Sequence, residues 1–306
     1  MALSGSFANS LAPYFRDVVG TTFERWPSFY SQHYHVETSD SAYEDYMHAA
    51  GLPIAVSRPE GTPTPFYDPI EGSTKRLTHE EFGIGVQISR ELMMNDKRGA
   101  KGPIRTAASS LSRSMIERVE VDGADVYLNG HTSYTTIDNV ALFSASHTRL
   151  DGGANQSNFQ GTGAAPSETT IDAAMQQFES WYDERGLRVV DRPRDIIVSP
   201  YNAMAARKAL GSSYAFDPGN TANWASYNAI NTVYGALNLL VWPYLGASET
   251  RWYVRSPNHT IMWLWRERPV MDAYDDKNTR VAKFAMFMQY SKGPIYWQGI
   301  YQNDGA

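Results

Sequence analysis

At 306 residues the chain is long enough for a sizeable core, in two modest domains or one large irregular one. Its net charge of -6, without any run of like charges, excludes a strongly basic nucleic-acid binder, and the absence of cysteine excludes disulfides, thiolate nucleophiles and cysteine-ligated metal sites. With 13% aromatic and only 20% charged residues, it must bury large ring surfaces in its own core or against other protein chains.

The N-terminal residues lack the basic and apolar regions of a signal peptide, and the longest apolar runs, 237–242 and 261–265, fall far short of the ~20 residues a membrane helix needs. A soluble protein made in a reducing cytoplasm is expected.

In chain order, residues 1–50 mix aromatic clusters (Phe23, Trp26, Tyr30, Tyr34, Tyr43) without a lasting period, which predicts an extended arm packing on something else. From Gly51 to Ser89 the texture changes. Pro53, Pro59, Pro63, Pro65 and Pro69 exclude a helix or central strand and predict an edge hairpin or long projecting loop. Between Arg58 and Arg76, Phe66, Tyr67 and Ile70 are scattered among the charges Arg58, Glu60, Asp68, Glu71, Lys75 and Arg76, so that stretch offers no apolar face of its own. The alternation Phe82, Ile84, Val86, Ile88 then predicts a half-buried strand returning to the body.

Pro103–Leu128 reads as a single helix roughly 39 Å long. Ile104, Ala108, Leu111, Met115, Val119 and Val126 form its apolar stripe, while Arg105, Ser109, Ser112, Arg113, Glu117 and Glu120 mostly face away. A second helix, capped by Ser167 and stopped by Gly186, carries Ile171, Ala174, Phe178 and Trp181. A strand at 195–199, a short helix ending at Gly211 and a polar, turn-rich segment at 211–235 follow. The rest reads as strands at 237–242, 251–255, 260–266, 281–290 and 295–301.

Chemistry-bearing motifs are few. His33, His35 and Glu37 would share one side of a strand, a set able to hold a divalent metal, although nothing elsewhere completes the shell. His79-Glu80-Glu81 lacks the second histidine of a zinc-protease helix. Asp172, Asp183 and Glu184 read as the wet side of the second helix, and Lys97, Arg98, Lys101 and Arg105 as ordinary basic surface. No catalytic, cofactor-binding or metal residues are expected, and the protein is not expected to be an enzyme.

The order of parts, together with several phrases, resembles the Hong Kong 97-type major capsid proteins of tailed bacteriophages, most closely the Mu-like major head subunit family. The phrases are Phe82 to Asp96, Leu142-Phe143-Ser144 with His147, Ile197 to Pro200, Val241 to Leu245 followed by Arg251 to Val254, and Arg266 to Pro269 through Tyr296 to Gln298. The resemblance implies an α+β fold with an N-terminal arm (1–50) and an E-loop hairpin (51–89). It implies a P domain (90–164) with spine helix 103–128, an A domain (165–265) whose tip is 211–235, and P-domain strands with the C-terminus (266–306). It further implies a structural virion protein that assembles with itself, as pentamers and hexamers, into an icosahedral shell around double-stranded DNA in the bacterial cytoplasm. Arg58, Phe66, Tyr67, Glu71, Lys75 and Arg76 would then serve inter-subunit assembly through the E-loop, and Leu111, Met115 and Val119 the packing of the spine. DNA contact would be weak and non-specific; a separate scaffolding protein, a portal and a decoration protein are the other expected partners, with no membrane. Two rival readings are an encapsulin-like nanocompartment shell and, more distantly, a cytoplasmic metal-dependent enzyme using His33, His35 and Glu37.

Overall fold

The computed structural model describes residues 7–89, 91–92, 102–215, 229–276, 278–279 and 281–305. Lys97, Arg98, Lys101, the end of the 82–96 phrase and positions 216–228 of the polar segment lie outside these residues. The first half contains α1 (Phe7–Arg25), α2 (Tyr30–His33), β1 (His35–Thr38), β2 (Tyr43–Ala50), β3 (Ile70–Thr78), β4 (Glu80–Ser89) and α3 (Pro103–Leu128). Then come β5 (Phe159–Gln160), α4 (Glu168–Ser180), β6 (Asp195–Val198), α5 (Ala203–Gly211), β7 (Tyr214–Ala215) and β8 (Ala229–Ile230). The chain closes with β9 (Asn238–Val241), β10 (Trp252–Arg255), β11 (Ile261–Asp276), β12 (Val281–Pro294) and β13 (Ile300–Asn303). Among the described residues no helix is long and apolar enough to cross a membrane.

Contacts divide the chain into two units. The first comprises Met1–Glu44, Leu77–Gly123 and Met262–Lys292. Its sheet has the order β1-β11-β12-β4, with β1 parallel to β11 and β12 antiparallel to β4. The expectation of an aperiodic, extended N-terminal stretch fails here: residues 7–25 are helical, and Ala12, Phe15 and Val18 form a buried stripe at three-residue spacing. Phe15 stacks on Phe284 of β12 with ring centroids 4.0 Å apart. Pro13 and Gly20 inside the helix hide this period, being residues that ordinarily argue against one. Much of the chain's aromatic content meets on this sheet, where Trp263 stacks on Tyr290 at 4.5 Å and Tyr290 on Phe82 at 4.7 Å.

Helix α3 has the predicted bounds, and all six residues of its stripe are buried. Two residues expected to face away are buried as well. Ser112 donates to the Ala108 carbonyl at 3.1 Å, and the Glu120 carboxylate accepts the backbone N–H groups of Phe29 (2.8 Å) and Tyr30 (3.1 Å). These donors open α2 and have no partner within that helix, so a carboxylate is at home there despite its burial. Two residues on, buried Asp122 accepts the Tyr290 hydroxyl at 2.6 Å and pairs with Arg118 (3.1 Å) and Lys292 (3.0 Å).

The second unit comprises Asp45–Arg76, Ala124–Ile261 and Gly293–Ala306. Its sheet has the order β5-β13-β10-β6-β9, with β6 antiparallel to β10 and parallel to β9. Ile196 and Val198 of β6 join Phe178 and Trp181, from the α4 region, and Ala206 and Leu210 of α5 in one buried cluster. Tyr253 on β10 points the other way, to Tyr127 at 5.2 Å and Phe143 at 5.4 Å. Both faces are covered, which is why the β6 strand reads as continuously apolar. Ser167 and Thr170 cap α4 reciprocally, but the helix ends at Ser180, well short of Gly186. Asp183 and Glu184 therefore lie beyond the helix rather than on its wet side, and Glu184 is buried. The last strand also departs from expectation: β13 pairs with β10 in this sheet, not with β11 and β12.

Candidate interaction surface

The proline-rich hairpin is built differently from its sequence outline. Strands β3 and β4 do not pair with each other. Instead β3 pairs with β2, and β4 belongs to the first unit's sheet. The hairpin thus spans 43–78, with an irregular excursion, 51–69, between its two strands.

Its base is anchored by side chains, all within the second unit. Arg76 makes two parallel bonds to Asp45, both 2.7 Å, and the guanidinium holds that carboxyl below the usual aspartate range. Lys75 donates to Thr135 at 3.1 Å, and burial pulls its ammonium below the ordinary lysine range. The Ser73 hydroxyl donates to the Ile137 carbonyl. Buried His48 lies 3.3 Å from Glu184 and edge-on to Tyr296, with ring centroids 5.6 Å apart. Gly72 makes room for that imidazole, since a Cβ there would come within 3.0 Å of the ring. Arg185 then closes the neck, donating to the carbonyls of Gly51 (3.1 Å) and Asp68 (2.5 Å).

Past this neck the chain is open to solvent. Arg58 folds inward, donating to the Thr62 carbonyl (2.7 Å) and Thr64 hydroxyl (3.1 Å) around the turn 59–62. Gly61 takes φ +83° there, the conformation a type II turn requires at its third position. Phe66 is 93% exposed, Ile54 74%, Val56 58% and Leu52 55%. These large apolar side chains lie uncovered together on one segment.

Among the six hairpin residues singled out from sequence, Arg58, Lys75 and Arg76 have partners within the chain, and Phe66, Tyr67 and Glu71 are exposed. Ahead of the 58–76 stretch lies an apolar run that sequence reading passed over. Leu52, Ile54 and Val56 alternate along the outgoing leg, a period-two signal present in the sequence but overshadowed by the prolines. Leu111, Met115 and Val119 are buried in the first unit.

The histidine cluster does not form. His33 is buried in α2, whereas His35 and Glu37 are exposed on β1, because the strand begins two residues after His33. Among the described residues no group of three or more histidines and carboxylates is placed to hold a metal ion.

The family described as phage capsid protein matches residues 72–303. Among solved structures the chain is similar to the capsid of cyanophage P-SCSP1u, at a TM-score of 0.57 and 12% identity over 92% of this chain and 89% of that one. It is equally similar to a chain of Microbacterium phage Oxtober96, at a TM-score of 0.57 and 12% identity over 92% of both. It also resembles a chain of the mature capsid of bacteriophage PhiM1, at a TM-score of 0.55 and 13% identity over 90% of this chain and 86% of that one. No curated protein sequence matches it.

Proposed function

Because the chain belongs to the phage capsid protein family and has the Hong Kong 97-type fold, we propose that many copies of it close into an icosahedral head through the hairpin 43–78. Its role is structural, that of a major capsid protein. The observation that carries the assembly reading is the exposed apolar set beyond the Arg185 neck: a lone subunit leaves it uncovered, and a shell supplies a neighbour to cover it. On this reading 1–42 is the arm, 43–78 the E-loop, α3 the spine of the P domain, and the five-stranded sheet with α4 and α5 the A domain. The arrangement is of pentamers and hexamers around double-stranded DNA, in a virion assembled in the host cytoplasm. DNA contact is weak, in keeping with the net charge of -6. A scaffolding protein, a portal and a decoration protein complete the expected partners, and no catalysis is assigned. The affinity to the Mu-like branch rests on the sequence phrases alone.

Electron microscopy of the chain expressed with and without a scaffold tests the reading. Closed particles, tubes or capsomers are expected. A monomer that persists at high concentration with scaffold present overturns it.

A further inference from the structure

The first unit contains a pocket of about 160 Å3 whose walls are mostly rings: Phe23 and Trp26 at the end of α1, Tyr30 of α2, and Trp265 and Pro269 of β11, over Val119 of the spine helix. Arg268 stands at its rim, 5.8 Å from the Trp265 ring, and Arg113 lies 5.1 Å from the Trp26 ring. An apolar cavity of about 150 Å3 takes one benzene ring. The Glu120 carboxylate also lines it, held by the Phe29 and Tyr30 N–H groups, so the pocket has the size and lining for a single aromatic side chain, with Arg268 and Arg113 beside its rings.

We propose that this pocket receives the Phe66 ring of a second copy of the chain. At 93% exposure Phe66 is the most exposed large apolar side chain among the described residues, so its own chain provides no cover for it. It is also a ring of the right size, on a projecting segment whose neck is fixed by Arg185 and whose tip is stiffened by Arg58. Charge matches as well. Glu60, Asp68 and Glu71 flank Phe66 and are exposed, opposite in sign to Arg268 and Arg113. Arg76 is paired with Asp45 and the Arg58 guanidinium is turned onto the Thr62 and Thr64 oxygens of its own turn, so Glu60, Asp68 and Glu71 are the carboxylates this segment has to offer Arg268 and Arg113. The proposal rests on the reading of the hairpin as an inter-subunit arm, and assigns its central anchor and the site that takes it.

The chain contains no cysteine, so a disulfide can be introduced without background. Ser28 lines the pocket and is exposed. Co-assembled chains carrying Phe66→Cys, with an affinity tag, and Ser28→Cys, without one, should give under mild oxidation a dimer band containing both, and none in unassembled subunits. A parallel pairing of Phe66→Cys with Val121→Cys, on the exposed outer face of the spine helix, should link weakly or not at all. If particles form and Val121→Cys links while Ser28→Cys does not, the arm reading stands and the pocket assignment is overturned. Particles in which neither pair links also overturn the pocket. Particles that still form after residues 55–66 are removed overturn the arm reading itself, and with it this proposal.

Discussion

The Asp138 carboxylate and the His147 imidazole meet at 2.8 Å in a part of the second unit closed to solvent. The other ring nitrogen lies 3.2 Å from the Asn158 amide oxygen, and that amide is held in place because its nitrogen donates to the Leu142 carbonyl at 2.7 Å. Both ring nitrogens therefore face side-chain oxygens, which fix the plane of the imidazole. The ring stacks on Trp297 at 4.6 Å.

Burial alone would raise the Asp138 pKa, but hydrogen bonds from His147, Thr136 and the Val140 N–H outweigh it and hold the carboxyl below the ordinary aspartate range. A depressed pKa contributes stability that is present above the unfolded value of 3.8 and is lost as the pH falls through the folded value. Asp138→Asn should cost about 1–3 kcal/mol at neutral pH, because it takes a charged acceptor away from the buried His147, Thr136 and Val140 groups. Urea unfolding at pH 7 and below pH 4 checks this: the gap between variant and parent should narrow in acid.

The opposite end of the pH scale tests the tyrosines under the five-stranded sheet. Burial pushes the Tyr127 hydroxyl up to about 12 and raises Tyr253 in the same direction. A raised pKa gives stability that is complete below the unfolded value of 10.0 and is lost as the pH climbs toward about 12. The unfolding midpoint should hold steady up to pH 10 and then decline. Tyr127→Phe should flatten that decline, and an unchanged slope would refute the assignment.

Along α3, Leu111 is buried in the stripe and Arg105 is exposed. Leu111→Ala should cost about 2–5 kcal/mol of stability, whereas Arg105→Ala should leave the melting temperature nearly unchanged. Equal shifts in a thermal melt would mean that the stripe does not pack as described.

Removing residues 55–66 and closing the gap with a short Gly/Ser turn should give a folded subunit that melts near the parent temperature but no longer forms closed particles. The removed segment has little to bury in its own chain, so it contributes little to offset its ordering entropy. The cut must spare 70–76, because Ser73, Lys75 and Arg76 bond to the body. An unfolded deletion variant would place the segment in the core instead.

Elements with a clean period were legible from sequence alone. Helix α3, the Ser167 cap of α4 and the buried β6 strand follow from apolar spacing and capping chemistry. Helix α1 was not legible, because Pro13 and Gly20 interrupt a stripe whose partner, Phe284, lies more than 260 residues away. The same limit explains Glu120 and Glu184. A carboxylate is read as wet unless its donors are known, and those donors belong to Phe29, Tyr30 and Leu150. In the hairpin the prolines announced an irregular, exposed stretch, 51–69. The strand pairing that defines its arms, β2 with β3, is a long-range choice that no local pattern records.

The grip of Arg185 on Gly51 and Asp68 is made to main-chain oxygens, which every amino acid carries. The neck consequently places no demand on the identity of the residues it holds, nor on the length of chain looped out between them. Foreign peptides spliced between residues 56 and 65 should leave this fastening intact, which makes the tip a place where sequence can change freely while the subunit beneath it stays the same.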